Sequence, residues 1–255
     1  MNIFLTGASS GIGKALAHEF ASKGASLGLV ARRRDKLEEL IASLPHPELH
    51  TAIVCDVCDR EAVIKAAKEY DDACGGVDVV IANAGISLGV KTRYYEDLEQ
   101  FDKVFATNVI AMANTFHPFL ERMAERKRGK LVGIGSVAGI RGLPGSEAYC
   151  ASKSAVITYC ESLRVEMQKF GVRVLTISPG FVRTPLTAHN PYKMPFIMEP
   201  EEFAREAVKA ILSEKTYVTI PWQMGWLGKL LRILPNPVFD RILAKRKQKP
   251  RAGAK

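Results

Sequence analysis

Residues 6–13 read TGASSGIG, directly after the apolar, strand-like run NIFLT at 2–6. Gly7, Gly11 and Gly13 allow a tight turn, a close approach of backbone to a bound group, and packing of the following helix on a sheet. A helix that begins here points free N–H groups and a partial positive charge at whatever lies in front of it, which suits a pyrophosphate. Ser9, Ser10 and Ile12 belong to the same turn and would line such a site. The spacing is G-x-x-x-G-x-G and not G-x-G-x-x-G. It also fails as a P-loop, because five residues separate Gly7 from Gly13 where a P-loop has four, and Lys14 is followed by Ala15, where a magnesium-binding hydroxyl is needed. Standing alone, the turn is also compatible with a purely structural role, the less favoured of the two.

Outward from this turn, short apolar runs alternate with helical patterns. Strands are expected at 2–6, 26–31, 50–55, 77–82, 130–135, 172–178 and 216–220, with helices at 12–23, 34–43, 60–71, 98–127, 149–169 and 200–213. Strands so nearly apolar throughout are covered on both faces, as in a parallel sheet sandwiched by helices. The β-α-β order predicts an α/β, doubly wound, Rossmann-like parallel sheet of about seven strands, with ligands gathered at the strands' carboxyl ends.

With 255 residues, 47% of them apolar and 25% charged, the chain has the composition of one large soluble domain. No repeat or linker divides it. The net charge of +9 is concentrated at the end: residues 222–255 hold nine Lys/Arg and a single acid, Asp240, so residues 1–221 are nearly neutral. This argues against nucleic acid as a partner, and it separates a domain over 1–221 from a basic extension over 222–255. The odd set Cys55, Cys58, Cys74, Cys150 and Cys160 points to reduced thiols and a cytoplasmic location. Cys55 and Cys58 have no second pair or nearby His, so no metal is expected. Met1 leads straight into the first strand, and no cleavable leader is expected.

The glycine turn, taken with Asn83-Ala84-Gly85, Asn108, Ser136, YCASK at 149–153 and Pro179-Gly180, resembles the short-chain dehydrogenase/reductase family from Met1 to about Ile220. That resemblance implies an NADP(H)- or NAD(H)-dependent oxidoreductase interconverting a carbonyl and an alcohol. It implies four catalytic residues. Tyr149 is the general acid/base, and Lys153 tunes it while holding the nicotinamide ribose. Ser136 orients the substrate oxygen, and Asn108 holds a water linking Lys153 to solvent. The chemistry agrees with the assignment. A free tyrosine, with a pKa of ~10, exchanges protons poorly near neutrality, and a neighbouring ammonium lowers that value. Tyr149 and Lys153 stand at i and i+4 and share one helix face. A serine-hydrolase reading fails, since Ile134 and Ala138 occupy the glycine positions of a nucleophile elbow around Ser136.

Cofactor choice falls at the end of the second strand, LVARRRD. An acid there favours NAD. Here Ala31 takes that position, followed by Arg32 and Arg33, whose guanidinium forks suit a 2′-phosphate, so NADP(H) is expected. Arg34 reads as a solvated residue opening a helix. By the same resemblance Asp56 and Val57 flank the adenine. Asn83, Ala84 and Gly85 line the cofactor's middle, and Pro179, Gly180, Val182 and Thr184 cover the nicotinamide amide.

Segments 86–90, 139–144 and 184–198 should wall the substrate cleft, the last of them as a lid. Leu88, Ile140, Leu143 and Leu186 make the walls apolar and favour an apolar carbonyl or alcohol. In the extension, Trp226, Leu227, Leu230, Leu231 and Leu234 repeat on one helical face, and Val238, Phe239, Ile242 and Leu243 do so after Pro237. Neither stretch approaches the ~20 apolar residues of a membrane span. Two destinations remain open for this tail: packing over the substrate mouth of its own or a partner subunit, or lying on an anionic membrane surface. The resemblance further implies a homodimer or homotetramer built on the helices of 98–127 and 149–169. Alternative functions are a non-catalytic NADP-binding sensor and a peripheral membrane module acting through the tail.

Overall fold

The computed structural model describes residues 1–252. Seven strands form one wholly parallel sheet: β1 (Asn2–Thr6), β2 (Ser26–Ala31), β3 (His50–Val54), β4 (Val79–Ala82), β5 (Gly129–Ile134), β6 (Val172–Pro179) and β7 (Tyr217–Ile220). Their spatial order is β3-β2-β1-β4-β5-β6-β7. The chain therefore winds outward from β1 to β3, returns across β1, and winds outward again from β4 to β7. The reversal leaves a crevice at the carboxyl ends of β1 and β4, where doubly wound folds place their ligands.

Side-chain alternation along the strands feeds two cores. Ile3, Leu5, Leu27 and Leu29 face α1 (Gly11–Ala21), α2 (Arg34–Ser43) and α7 (Pro200–Ile211). Phe4, Val30, Val80 and Leu131 face α3 (Arg60–Ala73), α5 (Ala111–Glu125) and α6 (Glu147–Gln168). Burial on both faces explains why the strands lack the polar alternation of a half-exposed sheet. One polar tie bridges the second layer: buried Asp71 on α3 accepts from Arg122 of α5 at 2.9 Å and from the Val77 N–H at 2.6 Å.

The helix expected over 98–127 is broken. After α4 (Leu98–Phe105), residues Ala106–Ile110 take π-helical geometry before α5 continues the path. The apolar periodicity runs straight through this insertion, which is why the sequence reads as one helix. The wider turn carries Asn108 beneath the cleft, and π-bulges are common beside such sites.

Beyond β7, α8 (Trp222–Ile233) and α9 (Asn236–Leu243) pack on the segment that follows Ser136. Arg141 anchors them. Its guanidinium donates to the Leu231 and Leu234 carbonyls and to Asn236 Oδ1, and it lies 3.8 Å from the centre of the Phe239 ring. This satisfies carbonyls at the end of α8 that have no intrahelical partner. The face turned inward on α8 is Met224 and Gly228, while Trp222, Trp226, Leu230 and Ile233 point to solvent. The apolar stripe expected around Trp226 and Leu230 is thus rotated outward, because the Arg141 clamp and the seat of Gly228 on Ile140 fix the helix about its axis.

Residues 244–252 then cross the cleft as an extended strap. Ala252 N–H donates to Gly89 O at 2.9 Å, and a side chain at Gly89 would collide with the Pro250 carbonyl. Arg251 pairs with Asp97 and Glu96, each at 2.9 Å, on the far rim.

Candidate active site

A cleft of about 780 Å³ runs along the carboxyl ends of β1, β2, β4, β5 and β6. Every residue assigned above to the cofactor lines it except Gly13. Gly13 stands just behind the wall, and its role is packing: a Cβ there would sit 2.2 Å from the Gly7 carbonyl oxygen. Gly7 itself adopts φ of +68°, open to glycine and strained for other residues. Asn83 ties β4 to this turn, its amide donating to Thr6 O at 3.0 Å and Gly7 O at 3.2 Å. Ser10, at the α1 N-cap, makes no side-chain capping bond, so the helix N-terminus is left to a ligand.

At the far end of β2, Arg32 and Arg33 line the cleft beside Asp56 and Val57. Arg33 donates to Ser9 Oγ at 3.2 Å, and Arg32 lies 3.8 Å from Asp56. Both guanidiniums are exposed and keep donors free. Arg34 starts α2 and pairs with Glu38 at 3.6 Å, turned along the helix as expected.

The other end of the cleft is built by β5 and α6. Ser136 follows β5, and its Oγ accepts the Ala138 N–H at 3.1 Å, which fixes the hydroxyl. Tyr149 stands in the first turn of α6, half-buried in the cleft and beside Ser136. Burial pushes the phenol up to about 12, against the opposing pull of Ser136. The positive end of α6 also favours phenolate. Lys153, one turn on, is buried. Its Nζ donates to Ile134 O at 2.8 Å and lies 5.9 Å from the centre of the Tyr149 ring. Desolvation brings this lysine down to about 8. The resting state near neutrality is a neutral phenol beside an ammonium.

Asn108 lies under this pair and does not line the cleft. It is 1% exposed. Its Nδ2 donates to Ile86 O and Ser152 Oγ, both at 3.0 Å, and its Oδ1 accepts the Ile86 N–H at 2.8 Å. It therefore clamps the loop after β4 to α6, which holds Gly85 close to the Lys153 ammonium.

Of the expected substrate walls, Leu143 and Leu186 line the cleft with Ser136 and Tyr149, but Leu88 and Ile140 do not. Leu88 packs into a small cluster with Val90, Val104 and Ala148, and Ile140 packs on α8 at Gly228. An apolar loop residue is free to face either a helix or the cavity, and here the helices took both. Among the cleft residues not singled out from the sequence are Tyr192, within the expected lid, and Arg246 and Lys249 of the strap. No spacing signal marks the last two within their basic run.

The chain matches the model of the short chain dehydrogenase family over residues 1–194, and it belongs to that family. It is an oxidoreductase of that class. It is 39% identical over 237 residues to an uncharacterized oxidoreductase of Myxococcus xanthus, covering 92% of this chain and 93% of that one. It is 32% identical over 252 residues to human estradiol 17-beta-dehydrogenase 11, covering 97% of this chain and 82% of that protein. Among solved structures, a short-chain dehydrogenase from Streptomyces avermitilis superimposes with a TM-score of 0.77 at 26% identity, covering 96% of this chain and 94% of that one.

Proposed function

We propose that this protein is an NADP(H)-dependent oxidoreductase that interconverts a carbonyl and an alcohol, with Asn108, Ser136, Tyr149 and Lys153 as its catalytic group. The observation that carries the reading is one cleft holding the Ser136–Tyr149–Lys153 cluster and, at the other end, an arginine pair where β2 ends without an acid. The donors fit the cofactor: an uncapped α1 N-terminus for a pyrophosphate and two free guanidiniums for a 2′-phosphate. NADPH, when bound, supplies the hydride.

The chain's own residues handle the oxygen. Ser136 donates to the substrate carbonyl and turns it toward Tyr149. Tyr149 gives its proton to the oxygen as negative charge builds there. The Lys153 ammonium and the positive end of α6 then stabilise the phenolate left behind. The fixed Asn108 clamp keeps the cleft floor in place. In the oxidative direction the same groups act in reverse.

An apolar substrate is favoured by Leu143 and Leu186 on the cleft wall, and the human relative is named for estradiol. Cytoplasmic location and a homodimer or homotetramer complete the reading. The outward residues Ile110 and Val165, on the segments expected to pair, favour the oligomer. A second reading concerns the tail. Trp222, Trp226, Leu230 and Ile233 form an exposed row beside Lys229 and Arg232, which favours an anionic membrane surface as its partner. No helix among the described residues is long and apolar enough to cross a membrane.

The test is NADPH oxidation over a panel of apolar aldehydes and ketones, with Arg32→Asp as the cofactor probe. The variant should lose about tenfold or more of its NADPH-over-NADH preference, the scale of one charge-assisted phosphate contact. An unchanged preference sinks the NADP assignment. Tight NADPH binding with no turnover of any carbonyl or alcohol favours a sensor instead.

A further inference from the structure

We infer that Arg246 and Lys249 of the C-terminal strap form an anion clamp at the substrate end of the cleft, selecting substrates that carry an acidic group, such as a carboxylate, on an apolar body. The inference rests on the carbonyl–alcohol reading for the identity of the reacting group, but not for the clamp itself.

The charges lining the cleft are unevenly matched. At the β2 end, Arg32 lies beside Asp56, and on α4 Lys103 pairs with Glu99 at 2.7 Å. At the Tyr149 end the charged side chains lining the cleft are Lys153, Arg246 and Lys249, with no carboxylate among them. The strap itself distinguishes its cations. Arg251 is matched by Asp97 and Glu96, while Lys245 and Lys247 are exposed. Arg246 and Lys249 are partly buried, and among the described residues neither has an ion-pair partner.

Each is held against a different wall of the cleft. Arg246 lies 4.6 Å from the centre of the Tyr192 ring on the expected lid. Lys249 Nζ donates to Ser87 O at 2.8 Å and Ser87 Oγ at 2.9 Å on the loop after β4, which leaves its third proton without an acceptor among the described residues. Burial lowers the affinity of this lysine for its proton, as for a cation short of a counter-charge. Two cations held over an apolar wall, with no acidic complement among the described residues, fit a ligand that brings the complement with it.

The experiment uses the full chain, the double variant Arg246→Gln/Lys249→Met and each single variant, with thermal melts as the folding control. Decanoate and decanol are titrated onto the NADP⁺-loaded proteins by calorimetry, and NADPH binding is measured separately. Turnover of an ω-oxo fatty acid is compared with that of its methyl ester. The expected result is that the wild type prefers decanoate and the free oxo acid by about tenfold or more, the scale of a charge-assisted hydrogen bond. The double variant should lose that preference, leaving decanol, the ester and NADPH within about twofold of wild type, below the scale of one such bond. Equal affinity of the wild type for decanoate and decanol overturns the clamp. A loss confined to NADPH affinity also overturns it, by assigning the cations to the cofactor. Decanoate selectivity without turnover of either carbonyl upholds the clamp and removes the carbonyl–alcohol reading.

Discussion

Replacing Lys153 with Met should lower the rate of carbonyl reduction and erase its alkaline pH limb. Lys153 Nζ lies 5.9 Å from the centre of the Tyr149 ring. At that separation, with an effective dielectric constant of ~20, a unit charge stabilises the phenolate by about 3 kcal/mol, or roughly two pKa units. Only part of that charge has developed when the proton is in flight, so kcat should fall between about tenfold and a hundredfold. Reduction needs a protonated phenol and a protonated lysine. With the lysine brought down to about 8, wild-type activity is full below that pH and declines as pH rises through it. Lys153→Met should show no such limb, and Lys153→Arg, always charged, should move it out of range. Stability should shift the opposite way. A lysine lowered from 10.5 to about 8 is disfavoured as a buried cation, at a cost of about 3 kcal/mol below pH 8 that fades toward pH 10.5. Less about 1 kcal/mol for the lost Ile134 hydrogen bond, the Met variant should be about 2 kcal/mol more stable at pH 7, with the gain gone near pH 10.5. Rates across pH and urea melts at both ends measure this. An alkaline limb that persists in Lys153→Met refutes the reasoning.

Two substitutions probe the frame around this pair. Gly13→Ala drives a methyl group against the Gly7 carbonyl; it should destabilise the fold by about 1–3 kcal/mol in urea melts and weaken NADPH binding, even though Gly13 does not touch the cleft. Asn108→Ala leaves the part-buried Ile86 N–H and C=O without their side-chain partner, at a cost of about 1–3 kcal/mol. Hydrogen exchange should rise at residues 84–88 in that variant and stay unchanged at the glycine turn.

What the sequence made legible depended on how local each signal is. The glycine turn and the strands that feed it are written in contiguous residues, and six of the expected helices begin within about two residues of where the structure starts them, since periodicity and caps act within a few turns. Asn108 was identifiable as a site residue, but the π-helical insertion that carries it was not, because the apolar pattern on either side stays in phase. Leu88 and Ile140 failed as wall residues since apolarity does not say which cavity a loop residue faces. The strap was hardest to foresee. Its latch joins Arg251 to Asp97 across 154 residues, and Arg246 and Lys249 look no different in sequence from the solvated Lys245 and Lys247. Only the path of the chain over the cleft separates them.

The most direct test of the central claim, that Tyr149 supplies the proton in an NADPH-dependent carbonyl reduction, is Tyr149→Phe assayed for turnover and cofactor affinity together. Losing a general acid costs about a hundredfold to ten-thousandfold in rate. The account predicts that loss with NADPH affinity within about twofold of wild type, since the missing hydroxyl contributes at most one neutral hydrogen bond to the ground state. A Phe variant that still reduces carbonyls at the wild-type rate, with its pH profile unchanged, would contradict it.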